Sequence, residues 1–370
     1  MDAEDARRDD RAPHHGAPDD GAPRAEDGPA GARRSRAPQA RVPRRALLER
    51  IGVGAGALAA AGVALAVGEG DRGADAARPL FTDTMGAADP TVVLLPGLGA
   101  TTRFWGPRVA PLAARARLVL VDLLGFGRSP KPWTTYTVDR HVAALHGVLG
   151  PLAEARGPLT LVGHSLGARL AATYAARYPG AVRRLVLVSL PYFGGAERAK
   201  GYFRRRGAEG WVMTHMLPAA VVCLLSRRLL GWALPSLLPD LPREVAEDLT
   251  QMTWRSSTST LWEAIYEYDL GPDLERVAGR VPMLCLHGDR DERAPLGPVL
   301  ALARAHPGCE VRVRAGAGHL LPLADPAWVR AAVASVLPRA ERPGAEGAEH
   351  RPDTHRTTRR EHPPERSLEA

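Results

Sequence analysis

Leu159-Thr160-Leu161-Val162-Gly163-His164-Ser165-Leu166-Gly167 is the stretch on which the reading of this chain turns. Its first half is an apolar run of strand length. Its second half opens an amphipathic stretch, Ser165 to Tyr178, that reads as a helix. Gly-x-Ser-x-Gly between a strand and a helix puts a serine on a sharp turn. Such a turn strains the serine backbone, and the flanking glycines keep side chains out of the space shared with neighbouring backbone. The helix N-terminus also favours negative charge near the serine. With 38 Gly in 370 residues, the bare five-residue pattern is a weak signal. The strand before it and the helix after it carry the weight.

Similar apolar runs recur along the chain: TVVLL (91–95), RLVLV (117–121), RLVLVSL (184–190), PMLCLH (282–287) and EVRVR (310–314). They are apolar on both faces, as parallel strands covered by helices are. Helical stretches lie between them, such as Val138 to Leu149 and Pro326 to Leu337. The alternation predicts an α/β fold with a mostly parallel, doubly wound sheet. One interval breaks it. Residues 191–281 contain no convincing strand and hold Trp211, Met213, Leu224, Leu225, Leu229, Trp232 and Leu237. They predict a mostly helical insertion.

The ends read differently. Residues 1–43 and 339–370 are polar, rich in Ala, Pro, Gly and Arg, and too poor in large apolar side chains to offset their ordering entropy, so both are expected to be disordered tails. Between the first tail and the fold, residues 44–77 carry Arg44-Arg45, then the uncharged run IGVGAGALAAAGVALAV (51–67), then Ala74-Asp75-Ala76. A basic flank, a weakly apolar core and a small-residue exit resemble a signal peptide, and the paired arginines resemble the twin-arginine export type. The rival reading is an uncleaved anchor. Either makes the globular part exported or membrane-anchored and gives a route to membrane association through residues 44–67. An Ala/Gly-rich core or linker helix in a cytoplasmic protein is the alternative.

Composition excludes several classes. Three cysteines, Cys223, Cys285 and Cys309, form neither a disulfide framework nor a C-x-x-C metal or redox pair. The net charge of +8 comes almost wholly from Arg; Lys131 and Lys200 are the only lysines. The basic residues form no stripe with interleaved aromatics, so nucleic acid is not an expected partner.

Four further segments follow strands. Leu94-Leu95-Pro96-Gly97-Leu98-Gly99 is a Gly-rich turn. Asp122-Leu123-Leu124-Gly125-Phe126-Gly127-Arg128-Ser129 reads D-x-x-G-x-G-x-S. His287-Gly288-Asp289-Arg290-Asp291-Glu292-Arg293-Ala294-Pro295 contains G-x-x-D-x-x-x-P. Gly316-Ala317-Gly318-His319 precedes Asp325-Pro326, which opens a helix. With these segments in this order, the chain resembles the α/β-hydrolase family, in its cap-containing branch, over about residues 85–340.

The resemblance implies a Ser165, Asp291, His319 triad, in the family's chain order of serine, acid and histidine. It implies oxyanion donors at the backbone N–H groups of Leu98 and Leu166. Pro96 stands where the family usually has His, which leaves the backbone donor in place. Asp289 competes with Asp291 for the acid. Asp122 precedes the serine and reads as structural, as does His287. The domains implied are a core of 78–190 and 282–338 with a helical cap of 191–281. The family usually begins with a hairpin, yet only Arg78 to Pro90 are free for it here. Leu80-Phe81-Thr82 offers one short strand, unless part of 51–67 belongs to the fold.

The expected activity is hydrolysis of a small lipophilic carboxylic ester through an acyl-enzyme, with a small-molecule acyl substrate as partner and no metal or organic cofactor. A C–C bond hydrolase, a thioesterase or a cofactor-free perhydrolase of the same fold is the alternative, and a non-catalytic binding protein is the third class. Serine rather than aspartate at the turn disfavours the haloalkane dehalogenase and epoxide hydrolase relatives.

Overall fold

Val92, Val93, Leu94 and Leu95 are consecutive and all fully buried. A strand can bury every side chain only if both of its faces are covered, since successive side chains point to opposite faces. The computed structural model of the protein describes residues 78–338, apart from 206, 208–214, 216–217, 222, 225–230, 232 and 240. Within them, Val93 and Leu95 enter one core cluster, and Val92 and Leu94 enter a second on the other side of the sheet.

The sheet has seven strands: β1 Thr82–Met85, β2 Thr91–Leu95, β3 Arg117–Val121, β4 Leu159–His164, β5 Val182–Val188, β6 Met283–Gly288 and β7 Cys309–Arg314. Their order is β1-β3-β2-β4-β5-β6-β7. The six strands read from the sequence all pair in parallel. The short N-terminal strand lies slightly later than Leu80-Phe81-Thr82 and runs antiparallel on the edge, with Thr82 opposite Val121 and Met85 opposite Leu118. The run 184–190 ends earlier than its apolar pattern suggests. Ser189 adopts φ 49°, a left-handed conformation that no strand accommodates, and its N–H donates to Leu286 O at 2.8 Å.

Helices cover both faces. On the first lie α2 Val138–Arg156, α3 Leu166–Arg177, α7 Gly271–Val277 and α8 Leu296–Ala305, contributing Val142, Leu145, Tyr174, Leu274 and Val299 to one cluster. On the second lie α1 Thr102–Val109 and α9 Pro326–Val336, contributing Phe104, Trp105, Val329 and Val333. Each such fully buried large side chain stabilises the fold by about 1.5–3 kcal/mol. Helix α2 runs well past Leu149, through Pro151 to Arg156. Proline removes one helical hydrogen bond, but Leu152 and Ala153 still pack against the core and hold the last turns.

Between β5 and β6 the described residues form helices and no strand. They include α4 Ala196–Arg204, α5 Arg243–Asp248, α6 Trp254–Thr260 and a π-helical turn at Leu261–Glu267. Arg169, on α3, fastens this segment to the sheet. Its Nε donates to Ala264 O at 2.7 Å, one Nη to Pro191 O at 2.6 Å and the other to Tyr268 O at 2.7 Å. Burial pushes its pKa down to about 10, so the guanidinium is charged at neutral pH and each of these bonds is charge-assisted. The apolar run 51–67 and the two polar tails lie outside the described residues. Among the described residues no helix is long and apolar enough to cross a membrane.

Candidate active site

In a parallel sheet the loops leaving the carboxyl ends of the strands share one edge. Ser165 follows β4, Asp291 follows β6 and His319 follows β7, so positions 126 and 28 residues apart in the chain converge. His319 Nε2 lies 2.9 Å from Ser165 Oγ. His319 Nδ1 lies 2.9 and 3.0 Å from the two carboxylate oxygens of Asp291.

Ser165 is half-buried and has φ 52°, ψ −114°. Its two flanking glycines are required by close backbone approach. A Cβ on Gly163 would lie 2.4 Å from Gly167 O, and one on Gly167 would lie 2.4 Å from Leu95 O and 2.6 Å from Pro96 O. These neighbours are backbone and cannot step aside. Gly167→Ala is therefore expected to destabilise the protein by roughly 1–3 kcal/mol, the range of core overpacking. A urea melt of the full chain checks it; an unfolding free energy within about 0.5 kcal/mol of the parent would contradict the geometry.

The Asp291 carboxylate has no solvent exposure. Its Oδ1 also accepts the backbone N–H groups of Arg293 and Ala294, each at 2.9 Å. Burial works to raise its pKa, but the hydrogen bond and charge of His319 and the Ala294 N–H outweigh that, and the carboxyl is held below the usual range. Asp289 sits elsewhere: its Oδ1 accepts Gly316 N–H at 2.7 Å, on the exposed rim. Asp122 is buried and braces two loops, accepting Thr102 N–H at 2.6 Å and Arg128 N–H at 2.8 Å. A Cβ on Gly127 would lie 2.3 Å from its Oδ2, so glycine here makes room for the carboxylate. His287 is fully buried, with Nε2 2.9 Å from Ala294 O and 3.6 Å from Asp291 Oδ2.

His164, the variable residue of Gly-x-Ser-x-Gly, is a participant the sequence does not announce. Its ring stacks on Phe104 with centroids 4.8 Å apart, and its Nε2 lies 2.9 Å from the carbonyl oxygen of His319. Burial, aided by the neighbouring His319, lowers its pKa to about 3. A neutral ring then donates from Nε2 and fixes the loop that carries His319. Leu98 lies on the turn after β2, and Leu166 is the first residue of α3, whose N–H has no partner within the helix. A Cβ on Gly97 would touch Ser165 Cβ at 3.4 Å, so the Leu98 turn leans directly on the serine. Among the described residues no cluster of His, Cys, Asp and Glu is arranged to hold a metal ion.

A family model described as the alpha/beta hydrolase family matches residues 92–332, from β2 to α9. The chain belongs to the alpha/beta hydrolase family. Among relatives of this alpha/beta hydrolase is an uncharacterized protein of Mycobacterium tuberculosis, 28% identical over 251 residues, which cover 64% of this chain and 72% of the relative. The 2-(acetamidomethylene)succinate hydrolase of Mesorhizobium japonicum is 36% identical over 104 residues, 28% of this chain and 37% of that protein. Among solved structures, a thermophilic esterase from Thermogutta terrifontis superposes with a TM-score of 0.55 at 22% identity, covering 69% of this chain and 92% of the esterase. An E-2-(acetamidomethylene)succinate hydrolase superposes with a TM-score of 0.56 at 22% identity, covering 72% and 98%. These structures share the fold, and family membership together with hydrolase-named relatives makes this chain a hydrolase.

Proposed function

We propose that this alpha/beta hydrolase cleaves a carboxylic ester of a small lipophilic substrate through a serine-bound acyl-enzyme. The observation that carries the reading is the continuous hydrogen-bonded chain Ser165 Oγ, His319 Nε2, His319 Nδ1, Asp291. In it His319 Nε2 takes the Ser165 proton as Oγ attacks the ester carbonyl, and Asp291 holds the tautomer and stabilises the imidazolium. The N–H groups of Leu98 and Leu166 receive the negative charge on the carbonyl oxygen. His319 then gives its proton to the departing alkoxide. The same histidine next deprotonates water, which attacks the acyl carbon, and the acid leaves with Ser165 restored.

Apolar side chains of the segment between β5 and β6, placed against the Leu98 turn, support a lipophilic substrate. Leu249 and Met252 come within 3.0 and 3.3 Å of where a Cβ on Gly99 would stand, beside the Leu98 turn. In this reading residues 191–281 act as a cap, and its apolar side chains line the acyl pocket.

The test is a substrate panel on the full chain: p-nitrophenyl esters of increasing acyl length, matched thioesters, and vinylogous diketones that report C–C cleavage. Ester turnover is expected to dominate, with kcat/KM rising from acetate to medium-chain acyl groups. Turnover of the thioesters or diketones with no ester hydrolysis would replace this reading by one of the alternatives.

A further inference from the structure

The turn that carries Leu98 is held at its far end by two carboxylates, one just after β3 and the other in the segment inserted between β5 and β6. Its core-side brace is Asp122, whose Oδ1 accepts Thr102 N–H at 2.6 Å. The adjacent residue, Thr101, is buried, and its hydroxyl donates to Asp248 Oδ2 at 2.5 Å. Asp248 ends α5, in the segment inserted between β5 and β6. Its side chain has no solvent exposure. The other carboxylate oxygen is engaged by Arg103 Nη1 and Gln251 Nε2, each at 3.0 Å. Arg103 continues the contact to Glu247 at 3.1 Å, and Arg108 reaches Glu244 at 2.9 Å, so the whole of α5 is strapped to α1.

The same stretch also touches the turn through apolar atoms, since Leu249 and Met252 stand against Gly99. Gly99 has φ +77° there, so the turn is tight and has little slack. Ala100 N–H closes it on Gly97 O at 3.2 Å. A displacement at Thr101 is therefore passed to Leu98 within three residues.

We propose that Asp248 is a positioning residue for the oxyanion hole: by holding the Thr101 hydroxyl it sets the aim of the Leu98 N–H, so that docking of α5 completes the site. This rests on the reading of Leu98 and Ser165 given under Proposed function. Two buried carboxylates, Asp122 from the core and Asp248 from the insertion, grip consecutive residues at the end of the turn. An oxyanion donor acts only within a few tenths of an ångström of its correct place, because its worth lies in being preorganised. The segment that surrounds the substrate and the hole that stabilises the transition state are then one mechanical unit.

The experiment is a mutant cycle on the full chain with Thr101→Val, Asp248→Ala and the double variant, using p-nitrophenyl butyrate and a trifluoromethyl ketone that mimics the tetrahedral intermediate. Thr101→Val is the decisive variant, since Arg103 and Gln251 still hold Asp248 in it. Its kcat is expected to fall about tenfold with KM within threefold, a fraction of the roughly 10²–10³ that losing a whole oxyanion donor costs. Its Ki for the ketone should weaken by the same factor as kcat/KM, whereas inhibition by butyrate, a ground-state ligand, should hold. Thr101→Ser, which keeps the hydroxyl, should retain at least half of kcat. In the Asp248→Ala background, Thr101→Val should lower kcat no more than twofold, because the bond between the two side chains is already gone and only the Thr101 cap on the Arg103 N–H, at 3.2 Å, remains to be lost. A Thr101→Val enzyme with kcat and ketone Ki within twofold of the parent overturns the proposal, as does an equal loss in both backgrounds. Ser165→Ala run alongside separates the two readings. If it stays active, the assignment of the nucleophile fails; if it is inactive while Thr101→Val is unchanged, only the role of Asp248 fails.

Discussion

Ser165→Ala is expected to abolish labelling of the full chain by a fluorophosphonate and to lower kcat for ester hydrolysis by about 10⁴–10⁶-fold, the range seen when the nucleophile of a serine triad is removed. The parent protein should label once per chain. The geometry makes this substitution a clean one. Alanine keeps the Cβ, so the backbone at φ 52° is neither relieved nor further strained. The lost atom, Oγ, faces His319 Nε2 at 2.9 Å, and Cβ keeps its place beside Gly97. Thermal stability should therefore stay within about 1 kcal/mol of the parent, as for most substitutions that open no cavity and strand no buried group. Adding His319→Ala to Ser165→Ala should lower the rate little further, because the two residues act as one unit. Labelling that persists in Ser165→Ala would move the nucleophile elsewhere and remove the ester reading with it.

The sequence carried the sheet and the three converging side chains because each left a local mark. Five of the six parallel strands announce themselves as apolar runs, since both faces of the sheet are covered there; β7, at the edge, alternates valine with charged residues and is mostly exposed or half-buried. Ser165 is marked by glycines that close backbone contacts demand, and His319 and Asp291 by small-residue turns after strands. The early end of the run 184–190 at Val188 left no mark, because an apolar pattern says nothing of the left-handed turn at Ser189. The continuation of α2 beyond Pro151 was hidden for the opposite reason: a local breaker was overruled by packing against a distant core. Polar residues that act across long separations were least visible. Arg169 reaches carbonyls up to 99 residues away, and Asp248 holds a hydroxyl 147 residues away. Neither bond has a period or a spacing that a sequence can display. His164 occupies a position the Gly-x-Ser-x-Gly pattern leaves free, so its hold on the His319 carbonyl emerges only from the fold.

Asp291→Asn against Asp289→Asn is the second large expected contrast, and it separates two carboxylates that lie two residues apart. Asp291→Asn is expected to lower kcat by about 10⁴-fold, as loss of the triad carboxylate does through the wrong histidine tautomer. Asp289→Asn is expected to stay within threefold, since its carboxylate caps Gly316 N–H at the rim and does not reach His319. Asp291 also predicts a pH effect on stability. The Asp291 carboxyl is held below its usual range in the folded protein, so the unfolded chain binds the proton more tightly. Its contribution to stability is then fully present above the unfolded carboxylate range and is lost as pH falls through the lower, folded value. Urea melts between pH 7 and pH 3 should show a steeper loss for the parent than for Asp291→Asn, which has no such proton to take up. Equal slopes would mean that Asp291 is not held ionised by His319. A kcat loss in Asp289→Asn matching that in Asp291→Asn would mean that the acid of the triad is shared or misassigned. The two readouts are independent: one follows the histidine tautomer during turnover, the other the charge on the resting carboxylate. Agreement between them would tie the electrostatics of the folded site to its chemistry through a single side chain.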